Sequence, residues 1–332
     1  GLLGLGFDPD ALARGVAANP DIIAIDGGST DSGPFYLGTS TSKYSRSVCR
    51  DEWRQLLEAR ATAGVPLVIG SCGTCGTAET VDWMFRITCE LAAELGQTLR
   101  VARLYSDVPV ETLRVARDSG RLSPLHPAQT IDDAALEAMT NIVALAGAEQ
   151  IQAAIHTGAD VVLAGRATDT ATIAALPLAR GAHSGAAWHG AKIAECGAFC
   201  TTRPASGVVM VTFDEAGFTV RPMGEGVRCT PQSVAAHMLY ENSDPWILYE
   251  PGGHLDVTAA TYTEAAQDGV RVVGAIWVAA GDYRVKLEGA RLVGYQTMML
   301  AVIRDPRYVE AVADWADRLL LHCRGLMERM EL

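Results

Sequence analysis

The chain has 332 residues, which suggests two domains or one large one and is ample for a buried core. Its net charge of −12, with no basic stripe carrying interleaved aromatics, excludes a nucleic-acid backbone as partner, since such binding needs clustered Lys and Arg. Nearly half the residues are apolar, yet no apolar run approaches the roughly 20 residues of a membrane span. A cytoplasmic protein without membrane contact is therefore expected.

In chain order, Gly1-Leu2-Leu3-Gly4-Leu5-Gly6 reads as the end of a strand and a glycine turn, with a first strand expected upstream. Short strands at Ile22–Ile25, Pro66–Ile69, Arg100–Leu104 and Val161–Ala164 are largely apolar on both faces, as strands covered by helices on each side should be. Between them lie helical patterns at Asp51–Ala63, Glu79–Leu95, Val110–Arg117, Ala134–Leu145 and Gln150–Thr157. The alternation predicts a doubly wound, mostly parallel α/β sheet, a Rossmann-like domain over residues 1–203.

After Arg203 the pattern changes. Gly207–Thr212, a turn at Asp214–Gly217 and Phe218–Pro222 read as a hairpin, and Gly269–Ala279 and Tyr283–Leu287 add β-rich runs. Helices are expected at Pro231–Tyr240 and from Pro306 to Met327, with Asp305 as N-cap. Residues 204–332 are thus expected to form a second, smaller α+β domain. The C-terminus stops inside a helical pattern, so a polypeptide longer at both ends is expected.

Three strands empty into small polar loops, and in open α/β sheets ligands bind beyond the carboxyl ends of the strands. The loop after the second strand, Ser71-Cys72-Gly73-Thr74-Cys75-Gly76, puts two thiols and backbone N–H groups just before a helix, where an anion is favoured. Cys72 and Cys75 read as a redox couple or nucleophile, as half of a zinc site that lacks a second half, or as small residues in a tight loop. The eight cysteines are scattered and form no disulfide framework.

In the first loop, Asp26 and Asp31 flank Gly27, Gly28, Ser29 and Thr30 and could act as an acid–base pair or hold a divalent cation; capping is the plain alternative. In the third, Gly165-Arg166-Ala167-Thr168-Asp169 sets a guanidinium suited to carboxylate or phosphate beside an acid, a pattern a structural ion pair would also leave. Glu195-Cys196-Gly197 follows a helical stretch at Ala186–Ile193. Tyr249 to Asp256 crowds Glu250, His254 and Asp256 around a glycine pair, and Arg284, Lys286 and Glu288 alternate so as to share one strand face.

Taken together, the Asp26–Pro34 loop, the Gly70–Gly76 loop leading to Asp82-Trp83, Gly158–Asp169, Glu195–Ala198 and Tyr283–Gly289 resemble the acyclic terpene utilisation (AtuA-like) family over most of the chain. The resemblance implies a place in the breakdown of branched acids or their coenzyme A thioesters, sometimes with a small companion subunit.

The leading expectation is a lyase, hydratase or isomerase acting on a small carboxylate or its acyl-CoA ester. Asp26, Asp31, Asp169, Cys72, Cys75 and Glu288 are its candidate catalytic groups. Gly28, Ser29, Thr30, Ser71, Gly73, Arg166, Thr168, Glu195, His254, Arg284 and Lys286 are its candidate substrate contacts. Mg²⁺ or another divalent cation is the cofactor such carboxylates could recruit, and homo-oligomerisation is the base-rate expectation. The alternatives are a non-catalytic subunit that binds a CoA-type ligand and needs a partner, and a thiol oxidoreductase using the two loop cysteines.

Overall fold

The computed structural model describes residues 1–125, 131–296 and 298–329. Residues 1–292 form one compact unit and residues 293–332 a second, so position 203 lies inside the first.

The first unit is built on a parallel sheet of β1 (Ile23–Asp26), β2 (Leu67–Gly70), β3 (Val101–Leu104) and β5 (Val161–Ala164), in the order β1-β2-β5-β3. Every residue of β2 and β5 is buried, which is why their sequences show no alternation. Helices Arg46–Ala63 and Ala78–Glu94 pack Trp53, Leu57, Met84 and Ile87 into one core cluster with Leu67, Ile69 and Leu163. Trp53 is fully buried and its indole N–H donates to the Thr88 hydroxyl at 2.9 Å, so the ring's polar atom is satisfied. Helices Ala148–His156 and Asp169–Ala179 belong to another cluster with Val68, Val162 and Ala164. Helices thus cover both faces.

That latter cluster continues through Trp188, Phe218, Leu255 and Val272 into antiparallel sheets, so one core serves both halves of the unit. Strands β6 (Val209–Phe213), β7 (Gly217–Pro222), β10 (Thr261–Ala265) and β11 (Gly269–Val273) form one sheet in the order β10-β11-β7-β6. Strands β8 (Ile247–Glu250), β9 (Gly253–Asp256) and β12 (Ile276–Ala279) form another. The run expected as one strand from Gly269 to Ala279 is therefore divided between two sheets, broken at Gly274, whose φ of +95° suits glycine.

Two expectations are corrected. The pattern at Ala134–Leu145 is not one helix. A short helix, Asp133–Glu137, ends before β4 (Met139–Ala144), where Thr140, Ile142 and Val143 supply β-branched side chains that favour a strand. Nor is Tyr283–Leu287 a strand. The strand is β13 (Leu287–Arg291), which pairs antiparallel with β4 and sets Glu288 opposite Val143.

In the second unit, Asp305 caps helix Pro306–Glu310 by accepting the Arg307 N–H at 3.0 Å, and helix Val312–Arg329 follows. Among the described residues no helix is long and apolar enough to cross a membrane.

Candidate acid–base site at the ends of the parallel strands

Asp26 is the last residue of β1, and its carboxylate accepts the Gly28 N–H at 3.0 Å. Gly28 has a φ of +128°, and a Cβ there would stand 2.7 Å from Thr74 Cα, so the first loop can lie on the second only without a side chain. Thr74 itself has a φ of 78°, unusual for a β-branched residue. It is held there because its N–H donates to Gly27 C=O at 2.9 Å and its hydroxyl accepts the Lys43 N–H at 3.0 Å. Lys43 is thereby placed at the mouth of the site.

The third loop crosses beneath. Ser106 Oγ donates to Arg166 C=O, and the buried Arg166 side chain is fully engaged. Its Nε and Nη2 donate to the two oxygens of Glu288 at 2.9 and 3.3 Å. Its Nη1 reaches Ser71 Oγ at 2.9 Å, Ala167 C=O at 2.7 Å and Asp169 at 3.2 Å. Thr168 caps the following helix, accepting the Ala171 N–H, so Asp169 stands in its first turn. Glu195, at the end of helix Ser184–Ala194, accepts the Thr170 hydroxyl at 2.7 Å and pairs with the buried Lys192.

These elements enclose a cavity of about 240 Å³ lined by Asp26, Asp169, Glu195, Tyr44, Tyr240 and Lys43, with Gly28, Ser29, Asp31, Ser32, Thr74, Cys196 and Glu241 also in its wall. Lys43 is the one cation in this lining among the described residues. Burial pushes the Asp26 carboxyl up to about 7, only partly opposed by the Gly28 N–H and Arg166. Asp169 is raised well above the carboxylate range by burial and by the neighbouring Asp26, against the pull of Arg166. Glu195 is raised by burial, with Lys192 opposing. More acids than cations share one desolvated space, which is why all three carboxyls are shifted upward.

Of the expected contacts, Asp31 lies exposed at the rim, where its carboxylate accepts the Ser29 hydroxyl at 2.6 Å. Thr30 opens the short 3₁₀ helix at that rim and is not in the cavity lining. Ser71 and Gly73 are buried beneath the site rather than in its wall. Nor is the helix N-terminus after this loop open to an external anion: the Ala78 N–H donates to the Asp107 carboxylate at 2.7 Å.

Cys72 and Cys75 are both free and buried, in two different apolar clusters. Burial raises the Cys72 thiol above its ordinary value. Glu288 faces Arg166 from below; burial raises its carboxyl, but Arg166 and Lys286 outweigh this and hold it low. Lys286 reaches Glu288 at 3.0 Å. Arg284 does not join them, because position 284 precedes β13; it is exposed and pairs with Asp282. His254, in β9, lies against Tyr249 and away from the cavity lining.

Several residues carried no strong signal in the sequence. Lys43, Tyr44, Tyr240 and Glu241 come from connecting segments brought in only by folding. Lys192 could have been found from its i,i+3 spacing to Glu195. Glu250, rather than its neighbour His254, adjoins the acid cluster: burial pushes its carboxyl up to about 7, next to Thr168, Thr170 and Glu195. Among the described residues no three acidic, histidine or cysteine side chains are grouped so as to hold a metal ion.

The fold and the site define an α/β protein with an acid-lined cavity beyond the carboxyl ends of its parallel strands. The family described as acyclic terpene utilisation family protein AtuA matches residues 38–329, and the chain belongs to that family. No curated protein and no solved structure matches the chain.

Proposed function

We infer that this protein is a lyase of the hydratase type, or an isomerase, acting on a small branched carboxylate or its acyl-CoA thioester in acyclic terpene breakdown. The convergence of Asp26, Asp169 and Glu195 on one small cavity, with Asp26 titrating near neutrality, supports this reading. As a carboxylate, Asp26 removes a proton from the carbon next to the carbonyl. Asp169, its carboxyl raised by burial and by Asp26, gives a proton to the β-hydroxyl, which leaves as water while the carbon–carbon double bond forms. In the isomerase variant the acid returns the proton to carbon instead. Lys43, which donates to Ser32 Oγ at 2.9 Å, attracts the substrate's anionic group to the mouth.

Arg166 acts in this scheme as a positioning residue, since its donors are spent on Glu288, Ser71 and Asp169. The purified chain tests the reading by catalysing hydration, or deuterium uptake from D₂O, with a series of branched enoyl- and hydroxyacyl-CoAs and free acids. Absence of both reactions with every member, in the presence of demonstrated binding, would remove the enzyme reading.

A second reading, a CoA-ligand-binding subunit that works with a partner, is favoured by one observation in the second unit. Tyr295, Met298 and Leu300 are 93, 88 and 94% exposed, a concentration of apolar surface suited to another copy or a companion subunit. That reading predicts ligand-induced thermal stabilisation of the isolated chain and turnover only after the partner is added.

A further inference from the structure

The C-x-x-C thiols, Cys72 and Cys75, are divided between two apolar clusters. Cys200 and Cys229 lie instead in one cluster, with their Sγ atoms 3.9 Å apart across 29 positions of sequence. Both are free and buried. The main chain brings them together: Thr201 and Cys229 form an antiparallel bridge, and Thr202 N–H donates to Arg228 C=O at 2.8 Å. The Ser233 hydroxyl also donates to Cys200 C=O at 2.6 Å. A disulfide holds its sulfurs about 2.05 Å apart, so closing this pair takes an approach of about 2 Å. That is a movement on the scale of a change in χ1 at the two cysteines, with the backbones already at the spacing of paired strands.

The two sulfurs are not equivalent. With Cys200 donating its S–H to Cys229 Sγ, the contact raises the Cys200 thiol and holds the Cys229 thiol below its ordinary value, against the effect of burial on Cys229. Cys229 is therefore the sulfur that ionises first, and Cys200 the one that can resolve it.

Both cysteines stand at the foot of segments that rise into the acid-lined cavity. Cys200 ends the short 3₁₀ helix Gly197–Cys200, which follows directly on the cavity residues Glu195 and Cys196. Cys229 leads into helix Pro231–Ala236, and beyond it His237 Nε2 donates to Glu195 C=O at 2.9 Å. Tyr240, also in the cavity wall, donates its hydroxyl to Cys196 Sγ at 3.7 Å. The two segments thus meet at the cavity through hydrogen bonds and at their foot through two thiols.

We propose that Cys200 and Cys229 are a site of reversible oxidation, closed to a disulfide by hydrogen peroxide, which clasps the Glu195 and Tyr240 segments of the cavity wall together. The Cys229 thiolate attacks peroxide: an S–O bond forms, the O–O bond breaks, and the hydroxide released takes up the thiol's proton as water. Cys200 sulfur then attacks Cys229 sulfur, forming the S–S bond as the S–O bond breaks. The Cys200 proton leaves with that oxygen as a second water. Two thiols lose two electrons and peroxide gains them.

Treatment of the native 332-residue chain with hydrogen peroxide, followed by peptide mapping by mass spectrometry without reduction, tests this. The expected product is a Cys200–Cys229 cross-linked peptide pair that dithiothreitol separates and that Cys200→Ser and Cys229→Ser each lack. Amide exchange over residues 195–201 and 230–241 should slow by about tenfold in the oxidised protein. The mapping is read on the unaltered chain, so it holds even where a serine variant fails to fold. Peroxide that oxidises Cys89 or Cys323 while Cys200 and Cys229 stay unlinked would overturn the proposal, as would a link that forms only after unfolding. A link formed with exchange unchanged would overturn the clasp at the cavity wall.

Discussion

Arg166 and Glu288 face one another through two parallel hydrogen bonds, at 2.9 and 3.3 Å, across 122 residues of sequence. The pair ties the third strand-end loop to β13, and through Nη1 it also fixes Asp169 in the cavity wall. Both side chains are buried, so removing one leaves the other without its counter-charge. Arg166→Ala is expected to destabilise the fold by about 3–5 kcal/mol, read as a lowered urea midpoint. Arg166→Lys should retain part of that stability but lose the bidentate geometry. A midpoint unchanged in Arg166→Ala would show that the pair contributes nothing to holding this loop.

Asp26→Asn keeps the shape of the cavity while removing the carboxylate proposed as its base. Turnover of the substrate found in the CoA screen is expected to fall by about 10²–10⁴-fold, as for loss of a general acid–base group, with circular dichroism and melting temperature preserved. Asp31→Asn, at the exposed rim, should have a much smaller effect. Equal losses in the two variants would contradict the assignment of Asp26 as the base.

The acid cluster also makes stability depend on pH. Asp26 and Glu250 are each raised to about 7, above their unfolded carboxylate values, so the native state binds more protons than the unfolded chain. Their contribution is fully present below the unfolded pKa of about 4 and is lost as pH rises through about 7. The melting temperature should therefore fall as pH rises from about 4 to about 7 and level off above that. Asp26→Asn should flatten that slope. A melting temperature that rises steadily over the same interval would mean that other groups dominate.

Thiol labelling separates the buried loop cysteines from surface ones. Cys89 and Cys323 are exposed and should react with maleimide in the native protein, whereas Cys72 and Cys75 should react only on unfolding. Fast labelling of Cys72 in the native state would revive the thiol oxidoreductase reading.

Lys43→Ala should raise KM for an anionic substrate by about tenfold, equivalent to about 1.4 kcal/mol of lost attraction, with kcat little changed. The difference between the two proteins should shrink as salt is added. A change confined to kcat would instead place Lys43 at the reacting atoms.

By itself the sequence determined the parallel sheet, since continuous apolar runs at Leu67–Ile69 and Val161–Ala164 have no stable place except between two helical layers. It also placed Asp26 at the end of one strand and Asp169 just beyond the loop that follows another, where a ligand-facing position follows from topology. Local pattern failed where pairing partners are distant. Residues 139–144 became a strand because β13 lies beside them, and Arg284 was separated from Glu288 because the strand begins only at Leu287.

Tertiary structure alone decided the roles within the site. It turned Arg166 from a free cation into one whose donors are already engaged, buried the Ser71–Gly76 loop, and chose Glu250 over His254 as the residue adjoining the acid cluster. A residue's type announces the charge or thiol it carries. Burial and the charges brought to it by remote segments decide whether that group meets a substrate, holds a proton or is consumed in the fold.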